Sequence, residues 1–463
     1  MNPKKVKLLF LACILLGSAF FVAFRQPAQT KAAPTAIPDV VKIGALIPLT
    51  GGLGAYGPDM RDGALLAEHV VNNIWGGITR SGTSNATIDV LIEDTATDPT
   101  TTAAAAEDLI ETDAVEVMIG AAGSSNTLAA AGKCNPAEVV LISYASTSPA
   151  LSQEGGAYFF RTVGHDGLQG WALADVALAK GYRKAASIYL DNAYGIGMAD
   201  VFYAYFVGGG GEIVDELAYV ETATSFDTEL SRLKSLEDDD KIDCIMDTSY
   251  ADDGAIIFTE AATKGITTPW VLAEGAADAA IFGKATGVGT AMLGMIGTKP
   301  FTDLNSPEYQ FFNDTWFAQY PTKTSVGIYA DYAYDAVMMA VAAIQHAGDY
   351  SGPAIKTSLM TISQGYDGVT GDKTFDANGD VGQAYNVFEV TEPTSGTFEF
   401  TVQGSWNFIT GASYAIGGTT FTHHNTVTAE RPEEEEDSPG FELIVLLAAL
   451  SSCAAIVLRR RRR

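Results

Sequence analysis

Short apolar runs alternate with segments of helical spacing along most of this chain. The run VKIGALIP, starting at Val41, is almost continuously apolar, as expected for a parallel strand that is covered on both faces. In the next segment, 58–75, apolar side chains recur at helical spacing, at Ala64, Ala67, Val71 and Ile74. The strand-like runs IDVLIED, VEVMIGAAG and VVLISYAS follow, with helical segments between them. This alternation predicts βαβ units and therefore a parallel, doubly wound sheet.

A second series of the same kind starts after residue 164. The strand-like runs AASIYLD, EIVDELAYV, IDCIMDTSY and WVLAEG alternate there with helical segments, and two longer helices and a β-rich end follow. The two series predict an α/β protein with two Rossmann-like lobes, each built on a parallel sheet. Ligands of such open sheets bind beyond the carboxyl ends of the strands, so we expect a ligand cleft between the lobes.

Composition agrees with two packed lobes and limits the partners. The chain has 463 residues, more than one typical core contains, and 47% of them are apolar. Acidic residues outnumber basic ones 56 to 28, for a formal net charge of −28. A surface this acidic repels phosphate backbones, so we expect no nucleic-acid partner.

Both ends of the chain carry apolar segments with basic flanks. An apolar run at 8–24 follows three lysines, so residues 1–38 are predicted to be a secretory signal peptide or an uncleaved anchor. Near the C-terminus, an acidic linker at 416–440 precedes an apolar stretch and five arginines. We interpret 441–463 as a transmembrane or sorting segment, and its plan resembles the sorting signals of archaeal surface proteins. The positive-inside rule then places the body on the extracellular side of the plasma membrane.

The body lacks the motifs that enzymes of this architecture carry. No G-x-S-x-G elbow, H-E-x-x-H pair or P-loop lysine occurs, and the chain contains only five histidines. The stretch FDANGDVG lacks the acidic ladder of a calcium loop. Cys134 and Cys244, the cysteines of the body, are predicted to be buried thiols. We therefore predict a binding protein with no catalytic site, no cofactor and no metal.

The stretch PWVLAEG places Glu274 directly after a buried strand. A glutamate in this position often does no more than open a surface loop. Alternatively, it is a carboxylate held at the carboxyl end of a strand, where sheets of this type bind their ligands. The residues alone leave both interpretations open.

Several stretches, taken in order, resemble the periplasmic binding proteins of the branched-chain amino acid transport type. They are IGALIPLTGGLGAYGPDMRDGALLA, EDTATDP, VMIGAAGSSNTLAA, ISYASTSPAL, FFRTVGHD, LDNAYGIGMAD and WVLAEG, and the resemblance covers 41–407. It implies two lobes, 39–163 with 297–370 and 164–296 with 371–415. Three crossovers near 162–164, 294–298 and 369–374 would join them.

The resemblance also implies which residues bind the ligand. A ligand carboxylate would lie at the start of a helix against Ser125, with Ser124 beside it, although serines there are also ordinary helix caps. Glu274 would pair with the ligand's ammonium group. The other implied site residues are Tyr56, which stands where leucine-binding members carry tryptophan, and Ser146, Thr147, Tyr194, Tyr250 and Tyr329.

The function implied by the resemblance is capture of a small molecule outside the cell. We expect a monomer that binds an amino acid, branched-chain or otherwise apolar, and delivers it to the permease of an ABC importer. A ligand-sensing ectodomain is the first alternative, because the same fold serves signalling receptors. A binder of amides, urea or aromatic acids is the second, because related proteins take such ligands.

Overall fold

The computed structural model describes residues 36–80 and 84–431. The predicted N-terminal signal, the C-terminal apolar segment and the acidic run before it lie outside the described residues. Within residues 36–80 and 84–431, no helix is long and apolar enough to cross a membrane.

The first series forms a five-stranded parallel sheet with the order β2-β1-β3-β4-β5. Its strands are β1 (Val40–Ile47), β2 (Thr87–Asp94), β3 (Val117–Ile119), β4 (Val140–Ser143) and β5 (Phe159–Arg161). The helices between them are α1 (Gly57–His69), α2 (Pro99–Glu111), α3 (Ser124–Ala137) and α4 (Leu151–Glu154). The strands β3, β4 and β5 are buried throughout, as the continuous apolar runs predict.

The helix predicted over 58–75 is α-helical only as far as His69. Its last part, Val70–Ile74, is a π-helical turn. The Asn72 side chain lies in this turn and exchanges two hydrogen bonds of 2.8 Å with the backbone of Ile88 in β2. The tertiary contact offers a reason for the wider turn, which helical spacing alone does not reveal.

The second series forms a nine-stranded sheet. The helices of this half are α5 (Asp166–Ala179), α6 (Ala193–Gly208), α7 (Asp227–Asp238), α8 (Ala251–Lys264) and α9 (Val288–Met292), with 3₁₀ turns at Glu274–Ala276 and Ala279–Gly283. Its parallel strands are β6 (Lys184–Leu190), β7 (Glu212–Tyr219), β8 (Cys244–Thr248), β9 (Trp270–Leu272) and β10 (Ile296–Pro300).

Helices α10 (Pro307–Gln319), α11 (Ala330–Ala347) and α12 (Gly352–Ile362) follow, with a small hairpin of β11 (Asp367–Gly368) and β12 (Gly371–Asp372).

The β-rich end enlarges the second sheet with antiparallel strands. They are β13 (Tyr385–Thr394), β14 (Thr397–Asn407), β15 (Gly411–Ile416) and β16 (Thr419–His423). The acidic linker therefore does not begin at 416 as predicted. The chain packs on this lobe as far as Arg431, which forms ion pairs with Glu216 and Asp200.

Three segments that run between the lobes lie side by side. The first follows β5, and Gly164 within it pairs with Val381 of the third. The second follows β10, where the Phe301 N–H donates to the Ala384 carbonyl at 2.9 Å. The predicted return to the first lobe at 297 is wrong, because β10 pairs with β9 and β13 in the second sheet.

The third segment also lies later than the sequence predicted. Asp335, in α11, accepts hydrogen bonds from the N–H groups of Val369 and Thr370, so the hairpin at 367–372 packs on the first lobe. Asp380, further along the chain, also lies on the first lobe, where it forms an ion pair with Arg161 of β5. The crossing thus falls near 381–384 instead of 369–374.

Close helix packing brings α11 onto the first lobe. A Cβ atom on Gly63, in α1, would lie 2.0 Å from the Ala330 carbonyl oxygen at the start of α11. Only glycine permits this approach without a shift of one helix. The contact holds α1 and α11 together beside the cleft.

The C-terminal strands are anchored by one buried carboxylate, Asp175 of α5. Its oxygens accept hydrogen bonds from Trp406 Nε1 at 2.9 Å and from the Asn425 N–H at 2.8 Å, and His423 Nδ1 lies 2.9 Å away. A single side chain thus accepts bonds from two buried donors and contacts a third, partly buried side chain in the last part of the fold.

We expect the Asp175→Ala substitution to lower the free energy of unfolding by about 2–4 kcal/mol, because it leaves buried donors unpaired. Urea denaturation measures the change. Asp191→Ala, at an exposed position, is the matched control and should change stability by less than about 0.5 kcal/mol. Equal midpoints for the two variants would contradict the anchoring role.

Candidate functional site

A cavity lies between the two lobes, at the carboxyl ends of their parallel strands. Apolar side chains of Leu53, Met60 and Ile328 form part of its wall. Of the nine residues that the sequence singled out, six line it: Tyr56, Ser124, Tyr194, Tyr250, Glu274 and Tyr329. Ser125, Ser146 and Thr147 are not among the lining residues.

The first lobe presents the start of α3 to the cavity. Gly123 is the N-cap residue and Ser124, which is buried, is the first residue of the helix. The Ser124 hydroxyl accepts a hydrogen bond from the Ser148 N–H at 3.2 Å. Free N–H groups and the helix dipole make such an end favourable for an anion.

The Ser125 hydroxyl makes a contact that the sequence did not suggest. It accepts a hydrogen bond from the Ala193 N–H, at the start of α6 in the second lobe, at 3.1 Å. In this arrangement, Ser125 joins the two lobes and its neighbour Ser124 faces the cavity. A role of Ser125 in ligand binding stays a prediction.

Ser146 and Thr147 lie behind the cavity wall. The Ser146 hydroxyl is 2.7 Å from Thr127 Oγ1 and donates to the backbone of the Ala121–Ala122 segment. The Thr147 carbonyl accepts from the Asp166 N–H at 2.7 Å. Both residues therefore shape the backbone of the segment, and the neighbouring Ala145 is the one that lines the cavity.

Two tyrosines of the second lobe form an aromatic wall. The rings of Tyr194 and Tyr250 stack with centroids 5.6 Å apart and planes inclined by 8°. Asn192 positions Tyr194 by capping the start of α6, and Tyr250 is the N-cap residue of α8. The Tyr194 hydroxyl also accepts from the Gly275 N–H at 3.2 Å.

The Tyr56 hydroxyl connects the first lobe to two points of the second. It accepts from the Ala251 N–H, at the start of α8, at 2.8 Å and donates to the Gly275 carbonyl at 2.5 Å. Another bond between the lobes runs from the Ile328 N–H to Asp278 Oδ2 at 3.1 Å. The structure therefore shows the two lobes closed over the cavity.

Glu274 is a buried carboxylate in the wall of the cavity, with 3% of its surface exposed. The Tyr329 hydroxyl donates to its Oε1 atom at 3.3 Å. Burial raises the pKa of Glu274 to about 7. Tyr329 has a φ of +64°, in the left-handed region that costs energy for a residue with a side chain, and this turn directs it to the cavity.

The sequence interpretation did not single out Asp166, which the structure places next to the site. Asp166 is the first residue of α5 and is completely buried. Burial, and then the charge of Glu274, raises the pKa of Asp166 well above its ordinary value. The available signal was the stretch FFRTVGHD, in which an acidic residue opens a helix directly after an interlobe segment.

Cys134 and Cys244 lie buried as free thiols, as predicted. Among the residues that the structure describes, no group of three or more His, Cys, Asp or Glu residues is arranged to hold a metal ion.

The comparisons with known proteins concern most of this two-lobed body. A family model described as a periplasmic binding protein matches residues 40–397. A curated relative from Pseudomonas aeruginosa, a leucine-, isoleucine-, valine-, threonine- and alanine-binding protein, is 26% identical over 345 residues, covering 74% of this chain and 87% of the relative.

Solved structures agree with the fold. The leucine-binding protein LivK from Thermotoga maritima has a TM-score of 0.70 at 24% identity, covering 79% of this chain and 99% of that one. An ABC transporter solute-binding protein from Rhodopseudomonas palustris, in complex with 3,4-dihydroxybenzoic acid, has a TM-score of 0.67 at 23% identity. That match covers 80% of this chain and 98% of that one.

We expect Tyr56→Phe to weaken closure of the cleft, because both hydroxyl bonds between the lobes are lost. The Ala251 amide should exchange its hydrogen about 5- to 150-fold faster, the equivalent of about 1–3 kcal/mol. Exchange followed by NMR measures this effect. Tyr158→Phe is the control, because the Tyr158 hydroxyl bonds Glu138 within the first lobe. Unchanged exchange at Ala251 would show that the Tyr56 hydroxyl does not hold the lobes together.

Proposed function

Because this chain belongs to the periplasmic binding protein family, we propose that it is an extracellular solute-binding protein that captures an amino acid and delivers it to an ABC importer. The observation that carries the proposal is the buried carboxylate of Glu274 in a cavity whose opposite wall contains a helix N-terminus. Solute binding, and not catalysis, is the activity of this family.

The chemistry of the cavity suits the two charges of an amino acid. The start of α3, with Ser124, offers hydrogen-bond donors and positive partial charge to the ligand carboxylate. Glu274 offers a negative charge to the ammonium group. Leu53, Met60 and Ile328 provide an apolar surface for the side chain, which supports a branched-chain or other apolar amino acid.

Each lobe supplies only part of this site, which supports a mechanism of closure around the ligand. The three segments between the lobes lie side by side, and each passes once from one lobe to the other. A small rotation about these segments can therefore separate the lobes. In our proposal, Tyr56, Ser125 and Asp278 make their bonds to the opposite lobe when the cleft closes. The closed monomer is the form that the permease recognises.

The partner and the location are parts of the same proposal. The family works outside the cytoplasm, and an ABC permease is the partner that a solute-binding protein requires. The apolar stretch at 443–458 with its arginines supports a membrane tether for the C-terminus. The N-terminal segment supports export of the body.

An aromatic acid is the second candidate ligand. The stacked rings of Tyr194 and Tyr250 favour it, because aromatic ligands prefer such surfaces. The same fold in Rhodopseudomonas palustris holds 3,4-dihydroxybenzoic acid. A thermal-shift screen of the twenty amino acids, amides, urea and aromatic acids separates these candidates, because only a binding ligand raises the melting temperature.

We expect Glu274→Gln to weaken amino acid binding by about 30-fold to several thousand-fold, because loss of one member of a desolvated charge pair costs about 2–5 kcal/mol. Ser125→Ala should have a smaller effect, since it removes only one bond between the lobes. Calorimetry measures both variants.

The matched control is Glu229→Gln, which changes a partly exposed glutamate of α7 that does not line the cavity and should bind as the wild type does. Amino acid binding by the Glu274→Gln variant at wild-type strength would exclude an ammonium partner role for Glu274. A ligand without an ammonium group would then be the better candidate.

We expect external protease on intact cells to release the folded domain by cleavage between 431 and 438. In our proposal, this acidic segment of the sequence links the body to its tether outside the cell. Immunoblotting of the medium detects the released domain, and a cytoplasmic protein that stays intact is the control. Complete protection of the domain would contradict the extracellular location.

A further inference from the structure

At the closed site, the carboxyl groups of Asp166 and Glu274 are both buried, and the charge of Glu274 acts on Asp166. Asp166 opens α5, and Glu274 follows β9; their exposed fractions are 0% and 3%. Both carboxylate oxygens of Asp166 and the Oε2 atom of Glu274 are buried without a hydrogen bond of regular geometry. The Thr147 hydroxyl still acts on Asp166 and lowers its pKa, but less strongly than burial raises it. Oε1 of Glu274 accepts a bond from the Tyr329 hydroxyl. Burial has the largest effect on the pKa of Glu274, although the side chains of Tyr194 and Gln169 also lower it by hydrogen bonding.

The cationic side chain whose charge acts on Asp166, Arg161, already bonds other partners. Its Nε atom bonds Asp380 at 2.6 Å, and its terminal nitrogens bond the carbonyls of Ser146 and Ser148 and the hydroxyl of Ser152. Its charge lowers the pKa of Asp166, but burial and the charge of Glu274 act more strongly in the opposite direction. Arg161 therefore does not neutralise the pair.

The remaining titratable groups around the pair are uncharged near neutral pH. Burial lowers the pKa of His165 to about 4, so its ring is neutral. Burial also raises the pKa of each neighbouring tyrosine well above its ordinary value, and these tyrosines are Tyr194, Tyr250, Tyr329 and Tyr385. Near the pair itself, a change of charge therefore comes from the two carboxyl groups. Burial also raises the pKa of Asp253 to about 7, and its charge acts on Tyr56 and Tyr250 of the cavity wall.

Two carboxylates that are removed from water and lack a counterion cannot both remain ionised at small cost. The empty cleft must therefore hold a proton or a cation between them. The ammonium group of an amino acid is such a cation, and Glu274 lies in the wall that it would meet.

We propose that Asp166 and Glu274 share a proton in the closed, empty cleft, and that the ammonium group of the ligand displaces it. This inference rests on the proposed function. Binding then exchanges one positive charge for another: the ammonium enters, and one proton leaves to solvent. Capture of the amino acid is consequently coupled to the external pH.

The direction of the pH dependence follows from the raised pKa values. Below the pKa of about 7 at Glu274, the pair is protonated, and the ligand must remove protons before it binds. The affinity should therefore fall by about tenfold per pH unit near pH 7.5, where one proton is displaced, and more steeply below pH 7, where a second proton must also leave. An anionic aromatic acid without an ammonium group should behave in the opposite way and bind more tightly at low pH.

Calorimetry in buffers with different ionisation enthalpies counts the protons exchanged. We expect L-leucine, or the amino acid that gives the largest thermal shift, to release about one proton per molecule bound at pH 7.5. Asp166→Asn leaves a single carboxyl group, so the release should fall well below half a proton. Benzoate is the anionic probe, and its binding should be accompanied by proton uptake.

Asp247→Asn is the matched control. Asp247 is also a buried acid of the second lobe, and burial raises its pKa to about 8, but its partner is Ser249 and it does not line the cavity. Proton release by this variant should equal that of the wild type. The wild-type measurement decides the matter even if a variant does not fold.

The outcomes separate this inference from the proposed function. Binding of an amino acid with no proton exchange, or with proton uptake, overturns the shared proton and leaves the proposed function standing. Failure of all twenty amino acids to bind overturns the proposed function and the shared proton with it. Release that is equal in wild type and Asp166→Asn excludes the Asp166–Glu274 pair as the source.

Discussion

The buried ion pair between Arg161 and Asp380 is the interaction on which the two-lobed arrangement depends most. Arg161 is fully buried, and its guanidinium group bonds Asp380, Ser152 and the backbone of the segment that follows β4. Although burial alone would raise it, the Arg161 charge holds the pKa of Asp380 below its ordinary value. Such a pair is stable only because each nitrogen of the guanidinium group has a partner, so it connects the sheet, the site and the third crossing.

The site has the opposite electrostatic character. Asp166 and Glu274 are also buried, but no cation among the residues that the structure describes neutralises them, and three of their four oxygens have no hydrogen bond of regular geometry. A ligand that donates hydrogen bonds to these oxygens removes the cost of burying them unpaired, and this contributes to the binding free energy. Unsatisfied buried acids and closure of the lobes are thus parts of one design for ligand capture.

Closure relies on hydroxyl groups that the sequence assigned to the ligand. Tyr56 and Ser125 were selected as binding residues, and each makes a hydrogen bond to a backbone N–H of the opposite lobe, at Ala251 and Ala193. Those N–H groups belong to helix starts, which have no partners within their own helix. The same unpaired donors that suit a ligand anion also suit a hydroxyl from the facing lobe. Sequence patterns do not distinguish the two uses.

The apolar periodicity by itself determined the α/β class, both series of parallel strands and the position of Glu274 after a buried strand, because these depend on local spacing. It could not determine that β10 stays in the second sheet or that β13 to β16 extend it, because strand pairing is a contact between distant residues. The folded structure likewise decided that Asp166 lies beside Glu274, about a hundred residues later, and that Ser124 faces the cavity in place of Ser125. A side chain's direction depends on what packs around it, and only the assembled lobes supply those neighbours.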